Sequence, residues 1–415
     1  MAAKDTRGLL ERTLARARLS PFYRDRLAGI SLRSTADLPR VPLTTKEDLR
    51  RASPHGLLCV ERAGLRQYHE SFGTTGMPVS TWYTQEDLRD NVRALAGLGV
   101  NFGAGDIVLI RFPYAISSIA HLMHATAQSR GACVIPASSR TNVSPYPRVI
   151  ELLRKLEVTV LACLPQQALL IAEAATLLGM APERDFPSLR ALCTAGEPLP
   201  PGQRGLLEQT WGVPVFDNYG LTECGAVAVD CAFGRCHPVE DAFFLEILGD
   251  DLATPAAPGG IGWLVLTTLK RRAAPLVRYL TGDRAVLADL PCPCGRRTVL
   301  QVRGRGESRV DAGVRRLDLW DLDEIVSALP SRRFWAAGPA PGGLRLIVEE
   351  DEPGRLTAEL TKELEARFGL RLQIEAVPPG TLCDRSTLLD VGQVGKPRYT
   401  FSAEEMAAGV HLGSA

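Results

Sequence analysis

Surplus charge of either sign is missing from this 415-residue chain: 48 lysines and arginines stand against 47 acidic residues, a net charge of +1. A chain that coats polyanions carries a basic excess or a basic block, so nucleic acid is not an expected partner. The pairs Arg271-Arg272 and Arg315-Arg316 are too short to change that. Long apolar runs are lacking as well. The most apolar stretch, 158–180, is interrupted by Pro165, Gln166 and Gln167, short of the ~20 uninterrupted residues of a membrane span. Residues 1–20 read as a basic amphipathic helix, with Leu9, Leu10, Leu14 and Leu19 on one side and no apolar targeting core. A cytoplasmic location without a membrane partner is the expectation. Histidine is scarce, with six in all, and no Gly-x-Ser-x-Gly occurs, which removes the Ser-His-Asp hydrolase reading. Cys59, Cys133, Cys163 and Cys193 are isolated in apolar surroundings. Such thiols behave as small buried hydrophobes and not as disulfide halves.

What is present is enough apolar material, 45% of residues, for two or three lobes. No internal repeat is visible. Thr44 or Thr45 makes an N-cap for a helix that begins with acids. Further on, apolar runs alternate with helical patterns: strands at 107–110, 133–136, 159–164 and 189–194, helices at 116–129, 147–156 and 166–178. This alternation argues for an α/β fold with parallel-rich sheets and packed helices. After residue 229 the texture becomes β-rich, with strands expected at 243–248, 262–269, 276–279 and 284–287. From residue 304 a smaller α+β pattern follows: helices at 318–329 and 353–368, strands at 344–349 and 372–376. The polar run 303–309 between these patterns suggests a boundary, dividing a large domain (1–302) from a small mobile one (303–415).

Four segments carry nucleotide-like chemistry. In Ser71-Phe72-Gly73-Thr74-Thr75-Gly76-Met77-Pro78, two glycines permit a tight backbone nest whose N–H groups, with the hydroxyls of Ser71, Thr74 and Thr75, suit phosphate oxygens. Alone it reads equally as a turn before a strand. In Asp217-Asn218-Tyr219-Gly220-Leu221-Thr222-Glu223, Tyr219 offers a flat face for adenine, Thr222 a hydroxyl for phosphate and Glu223 a hard oxygen ligand for Mg²⁺. Asp283 in Tyr279-Leu280-Thr281-Gly282-Asp283, expected just past a strand, can hold the two ribose hydroxyls. Arg305 in Gly304-Arg305-Gly306-Glu307 can reach ribose or phosphate.

In this order the segments resemble the ATP-handling motifs of the adenylate-forming superfamily of acyl- and aryl-CoA synthetases, adenylation domains and luciferases, and most of all its phenylacetate–CoA ligase-like branch. The stretches 20–24, 43–49 and Gly196-Glu197-Pro198-Leu199 extend the resemblance along nearly the whole chain. It implies that Gly73–Gly76 cradles phosphates. Gly196, Glu197, Pro198 and Tyr219 would frame adenine, with Asn218 at its edge. Thr222 and Glu223 would serve phosphate and Mg²⁺, and Asp283 and Arg305 the ribose. Glu307 would be the hinge of a swinging lid. Lys396, in Gly395-Lys396-Pro397-Arg398, would neutralise charge as a carboxylate attacks the α-phosphate and pyrophosphate leaves. Two departures stand out. Met77 occupies a position where the family carries lysine, and Glu307-Ser308 replaces an acidic pair.

Cys231, His237, Cys292 and Cys294 supply three soft thiolates and an imidazole, a set suited to structural Zn²⁺, with Cys236 as an alternative ligand. The same branch shows a similar pattern. Four protein ligands leave no open position, so such a zinc would not act in catalysis. Tyr114, Ser117 and His121, between a strand end and a helix start, are the candidates for the acid pocket. The expected reaction is activation of a carboxylic acid, aryl or arylacetic by resemblance, to an acyl-AMP with ATP and Mg²⁺, then transfer to coenzyme A. One alternative hands the activated acid, or another oxyanion, to an amine or other nucleophile. Another is a nucleotide sensor without turnover. A homodimer is compatible with the sequence.

Overall fold

A computed structural model describes residues 3–32, 34–71, 77–139, 143–389 and 398–412. Helices α1 (Ala3–Ala17), α2 (Pro21–Arg26) and α3 (Lys46–Ala52) precede an antiparallel hairpin of β1 (Leu65–Glu70) and β2 (Ser80–Thr84). Of the two threonines before α3, Thr45 is the cap: its Oγ1 accepts from the Asp48 amide at 3.1 Å, and Asp48 returns a carboxylate oxygen to the Thr45 amide at 2.9 Å. This reciprocal pair satisfies two otherwise orphaned donors. Thr44 is buried and ties Tyr23 to the Val277 carbonyl instead.

Next come α4 (Gln85–Leu95), β3 (Ile107–Ile110), α5 (Ser118–Ser129), β4 (Cys133–Ile135), α6 (Tyr146–Lys155), β5 (Val160–Cys163), α7 (Pro165–Leu177), α8 (Pro182–Asp185), β6 (Ala191–Ala195) and α9 (Pro201–Trp211). With β7 (Val215–Leu221), β8 (Gly225–Asp230) and β9 (Cys236–Pro238) they build a seven-stranded sheet of order β4-β3-β5-β6-β7-β8-β9. The first five strands are parallel, the last two antiparallel. Period-two alternation decides which face each side chain takes. Leu109, Leu161 and Leu192 pack with α6, α7 and α9, while Ile110, Ala162 and Cys193 pack with α4 and α5. Strand order reverses between β3 and β5, so the carboxyl ends of the strands form a crevice, the usual ligand position in open α/β sheets. The helix expected at 116–129 starts only at Ser118, because Ile116 has a left-handed φ of 58° that a helix cannot include.

A second, antiparallel sheet holds β10 (Phe243–Leu248), β11 (Gly262–Thr268), β12 (Tyr279–Asp289) and β13 (Thr298–Arg305) in that order. Two expectations fail here. Of the strand anticipated at 276–279 only Tyr279 is strand, and it is continuous with 284–287 in β12, bulged between Arg284 and Ala285. Arg278, at φ 44°, turns the chain just before it. Asp283 therefore lies inside a strand and not past its end. Residues 303–305, read as linker, complete β13, because β12 offers them pairing partners: Arg284 faces Gly304 and Asp283 faces Arg305.

The C-terminal part holds β14 (Val310–Asp311), β15 (Arg316–Leu317), α10 (Leu319–Ser327), β16 (Trp335–Ala340), β17 (Gly343–Glu349), α11 (Ala358–Phe368), β18 (Arg371–Val377) and α12 (Ala403–Ala408). The helix expected from 353 begins at Ala358, where Thr357 caps it. One face of the β16-β17-β18 sheet builds a local core with α10 and α11, including Leu322, Leu346, Val348 and Leu364. The other face, with Ala336 and Ile347, joins the core under α7 and α9. The buried Asp323 carboxylate accepts from the amides of Gly202 (2.7 Å) and Gln203 (3.0 Å), so α10 caps the positive end of α9. Among the described residues no helix is long and apolar enough to cross a membrane.

Candidate active site

A cleft of about 1990 Å³ opens at the carboxyl ends of β6 and β7 and runs to β12, β13 and the C-terminal part. Its walls include Ser71, Ser117, Gly196, Glu197, Pro198, Asn218, Tyr219, Thr222, Glu223, Asp283, Arg305 and Glu307. Most of the sequence-selected residues thus share one concavity. Gly73, Thr74, Thr75, Gly76 and Lys396 lie outside the described residues. Ser71 and Val79 close the neck of the glycine-rich segment: the Ser71 amide donates to the Val79 carbonyl at 2.9 Å, and the Val79 amide to Ser71 Oγ at 3.0 Å. Met77 is exposed, and its carbonyl accepts from Arg50 Nε at 3.0 Å.

The centre of the cleft is a chain of charge-assisted contacts. Tyr219 donates its hydroxyl to Asp283 Oδ2 at 2.6 Å, and Arg305 Nε lies 3.2 Å from Asp283 Oδ1. Arg305 also donates to the Thr281 carbonyl at 2.8 Å. Burial and the Asp283 carboxylate push the Tyr219 phenol well up, so it stays a donor. The same carboxylate raises the Arg305 pKa. Glu223, in the turn between β7 and β8, is buried and accepts from the Tyr279 hydroxyl at 3.3 Å. Tyr279 and Asp283 both stand on β12, which is irregular against β11 between them, around Gly282 at φ 80°. Tyr279 belongs to the same sequence segment as Asp283 but carried no expected role there.

Where β6 and β7 end at the cleft, Asn218 Nδ2 donates to the Thr194 carbonyl at 2.9 Å, and its buried Oδ1 has no hydrogen-bond partner among the described residues. Glu197 accepts from the Gln166 amide at 3.3 Å. The half-buried Asp217 and the buried Asp230 beside it are pushed up by desolvation and, for Asp217, by Asp230. Arg204 binds Asp230 at 2.7 Å. Neither acid was selected from sequence, where each reads as an ordinary strand residue. Glu307 sits in a short turn, Gly306–Ser308, directly after β13. A side chain at Gly306 would fall 2.2 Å from the Trp263 ring, so the chain leaves the sheet where only glycine fits.

Of the acid-pocket candidates, Ser117 lines the cleft, while Tyr114 and His121 are not among its lining residues. His121 Nε2 lies 2.8 Å from the Tyr114 carbonyl, and the Tyr114 hydroxyl 3.1 Å from His124 Nδ1. Both rings are thus engaged with each other's neighbourhood. The cleft wall near Ser117 is instead Pro113, Ser118, Ile119, Leu122 and Leu164.

A separate polar cluster forms where β8 ends, β9 passes and the β12–β13 loop folds back. The donor atoms of Cys231, His237, Cys292 and Cys294 all lie within 4.8 Å of one another. The Cys231 and Cys292 sulfurs are 3.7 Å apart, and Cys294 Sγ lies 3.3 Å from His237 Nε2. A disulfide needs ~2.05 Å, whereas thiolates at ~2.3 Å from a tetrahedral zinc stand roughly 3.8 Å apart. His237 Nδ1 lies 2.7 Å from the Thr298 carbonyl, an orientation that directs Nε2 to the cluster. Gly295, at φ 88°, lets the Cys-Pro-Cys-Gly turn present both sulfurs. Cys236 falls on the opposite face of β9 from His237, toward Asp230 and Asp217, and is not part of the set.

Residues 72–266 match the AMP-binding enzyme family. The phenylacetate–coenzyme A ligase of Aromatoleum evansii is 30% identical over 351 residues, covering 81% of this chain and 75% of the relative. That of Thermus thermophilus is 33% identical over 287 residues, covering 66% of this chain; the chain spans 63% of that relative's length. Among solved structures, a 2-hydroxyisobutyryl-CoA ligase in the postadenylation state superposes with a TM-score of 0.84 at 21% identity, over 97% of this chain and 90% of that one. The fold, the ordered motifs and these relatives agree: the chain belongs to the AMP-binding enzyme family, in its phenylacetate–coenzyme A ligase-like branch.

Proposed function

We propose that this protein activates a carboxylic acid with ATP, forming an acyl-AMP and pyrophosphate, and then passes the acyl group to coenzyme A. The observation that carries the reading is the Tyr219–Asp283–Arg305 chain facing the Thr222–Glu223 turn across one cleft. A buried carboxylate held by a phenol and a guanidinium is preorganised to accept two vicinal hydroxyls of a ribose. Tyr219, Asn218 and Gly196–Pro198 would bound the adenine, with the Asn218 Oδ1 as an available acceptor. Thr222 and Glu223 would meet the phosphates and their Mg²⁺, and the glycine-rich segment and Lys396 would complete the site. The apolar wall with Ser117 and Ser118 suits an uncharged aryl or arylacetic acid, the substrate class of the relatives' name.

The part that follows Glu307 would act as a lid, turning at that residue, with 303–305 staying behind as the end of β13. The short turn after β13 and the local core of the C-terminal sheet support this. Cys231, His237, Cys292 and Cys294 would hold a structural Zn²⁺, which supplies a cross-link between β8, β9 and the β12–β13 loop and leaves no position for substrate.

The test is pyrophosphate release from ATP and Mg²⁺ across aryl, arylacetic and amino-aryl acids, with and without coenzyme A. Acid-dependent release accelerated by coenzyme A is expected. Release indifferent to coenzyme A would replace the thiol by an amine or another acceptor. Tight ATP binding with no release would leave a sensor. Lys396→Ala should abolish release while ATP still binds.

A further inference from the structure

We infer that Tyr83, Thr81 and Arg271 form a positioning layer beneath the Thr222–Glu223 turn and set the geometry in which that turn meets a nucleotide's phosphates and their cation. The inference rests on the proposed nucleotide role of the turn. It concerns residues that touch neither nucleotide nor acid.

Tyr83 is fully buried, and its hydroxyl donates to the Thr222 carbonyl at 2.8 Å. Thr81, two residues earlier on β2 and so on the same face, donates Oγ1 to the Glu223 carbonyl at 3.3 Å. Two successive peptide planes of the turn are thereby pinned from below. A carbonyl fixed downward fixes the direction of the side chains beside it, and Glu223 is further held by Tyr279.

Arg271 locks the pinning strand. Its Nη2 donates to Thr81 Oγ1 at 2.9 Å and to the Trp82 carbonyl at 2.8 Å, and its guanidinium carbon lies 3.6 Å from the Tyr83 ring centroid. Arg271 is buried, yet its Nε and Nη1 have no hydrogen-bond partner and no carboxylate pairs with it among the described residues. Burying a guanidinium is costly, and the side-chain hydrogen bonds that Arg271 makes in return go to β2. Its placement makes sense as a clamp. It fixes the Thr81 hydroxyl as an acceptor toward itself, which leaves that hydroxyl's one hydrogen for Glu223. Burial pushes the Tyr83 phenol up to about 12, keeping it a donor throughout the working pH range. The strand β2 also begins at the Ser71–Val79 neck. One strand therefore follows the glycine-rich segment in sequence and also bonds the Thr222–Glu223 turn.

The test uses the full-length protein with Tyr83→Phe, which removes one hydroxyl and no carbon, and with Thr81→Val and Thr81→Ser. Calorimetry would measure ATP binding in Mg²⁺, and pyrophosphate release would give separate KM values for ATP and acid. Loss of one hydrogen bond corresponds to roughly five- to tenfold. Tyr83→Phe and Thr81→Val should each weaken ATP binding by about that factor and raise the Mg²⁺ requirement, with the acid KM within about twofold. Thr81→Ser, which keeps the hydroxyl, should restore wild-type values. ATP and Mg²⁺ dependence within about twofold of wild type in both variants would overturn the inference, as would an equal rise in the ATP and acid KM. Failure of the wild type itself to bind ATP would sink the proposed function first, a different result from unchanged variants of a binding protein.

Discussion

Two polar constellations of this protein differ in how they satisfy themselves. The Cys231–His237–Cys292–Cys294 cluster converges on a point, with every donor atom within 4.8 Å of the others. The cleft residues are spread along a cavity of about 1990 Å³ and lean on one another in a line, Tyr219 to Asp283 to Arg305. Convergence leaves no room for a substrate and suits a cross-link. A line of held donors and acceptors along an open wall suits recognition. Type of residue alone would not separate the two, since buried carboxylates and thiols both bind metals; the spacing of their donor atoms does.

That contrast can be broken most directly at the cluster. Cys292→Ala should lower bound zinc from one equivalent to a trace by elemental analysis. It should also drop Tm by roughly 10 °C, because metal binding is folding energy at a closed site. An unchanged Tm with unchanged metal would reduce the cluster to unconnected thiols. Glu223→Gln is the converse case. Acid-dependent pyrophosphate release should fall at least about 100-fold while Tm moves by no more than about 2 °C, since an open-site ligand serves chemistry and not folding. A large Tm loss there would mean the cleft is structural too.

Asp283→Asn keeps the shape but removes the charge that Arg305 and Tyr219 address. The ATP KM should rise roughly tenfold, the size of one charge-assisted hydrogen bond, with the acid KM little altered. Equal rises in both would detach Asp283 from the ribose. The smallest effect belongs to Cys236→Ala. That thiol neighbours His237 in sequence but faces away from the cluster, so zinc content should stay at one equivalent. Loss of zinc in this variant would redraw the ligand set.

The parallel strands 107–110, 160–163 and 191–195 were legible because buried apolar runs separated by helical periods leave few other folds. The β-rich middle was legible only coarsely. Leu276 and Val277 are as apolar as a strand, but the left-handed Arg278 and the partners waiting on β11 and β13 settle where β12 begins. The candidate site followed the same division. Tyr219, Thr222, Glu223, Asp283 and Arg305 do meet in one cleft, as their order along the chain suggested. Tyr114 and His121 were plausible by position, yet His121 and the Tyr114 hydroxyl engage nearby groups and leave the wall to Ser117, Ser118 and Ile119.

By itself the sequence determined the α/β class, the family and the chemical types present, because these depend on local periodicity and on short motifs in a set order. Tertiary structure alone decided which distant residues face each other. Asp283 meets Arg305 through the β12–β13 register, and Cys231 meets Cys292 through a loop folding back on β8. Arg271 reaches Tyr83 across 187 intervening positions because β2 passes beneath the turn that both support. Spacing along a chain constrains side chains within a helix or strand. Across a sheet, pairing register and burial do so, and no local pattern encodes them.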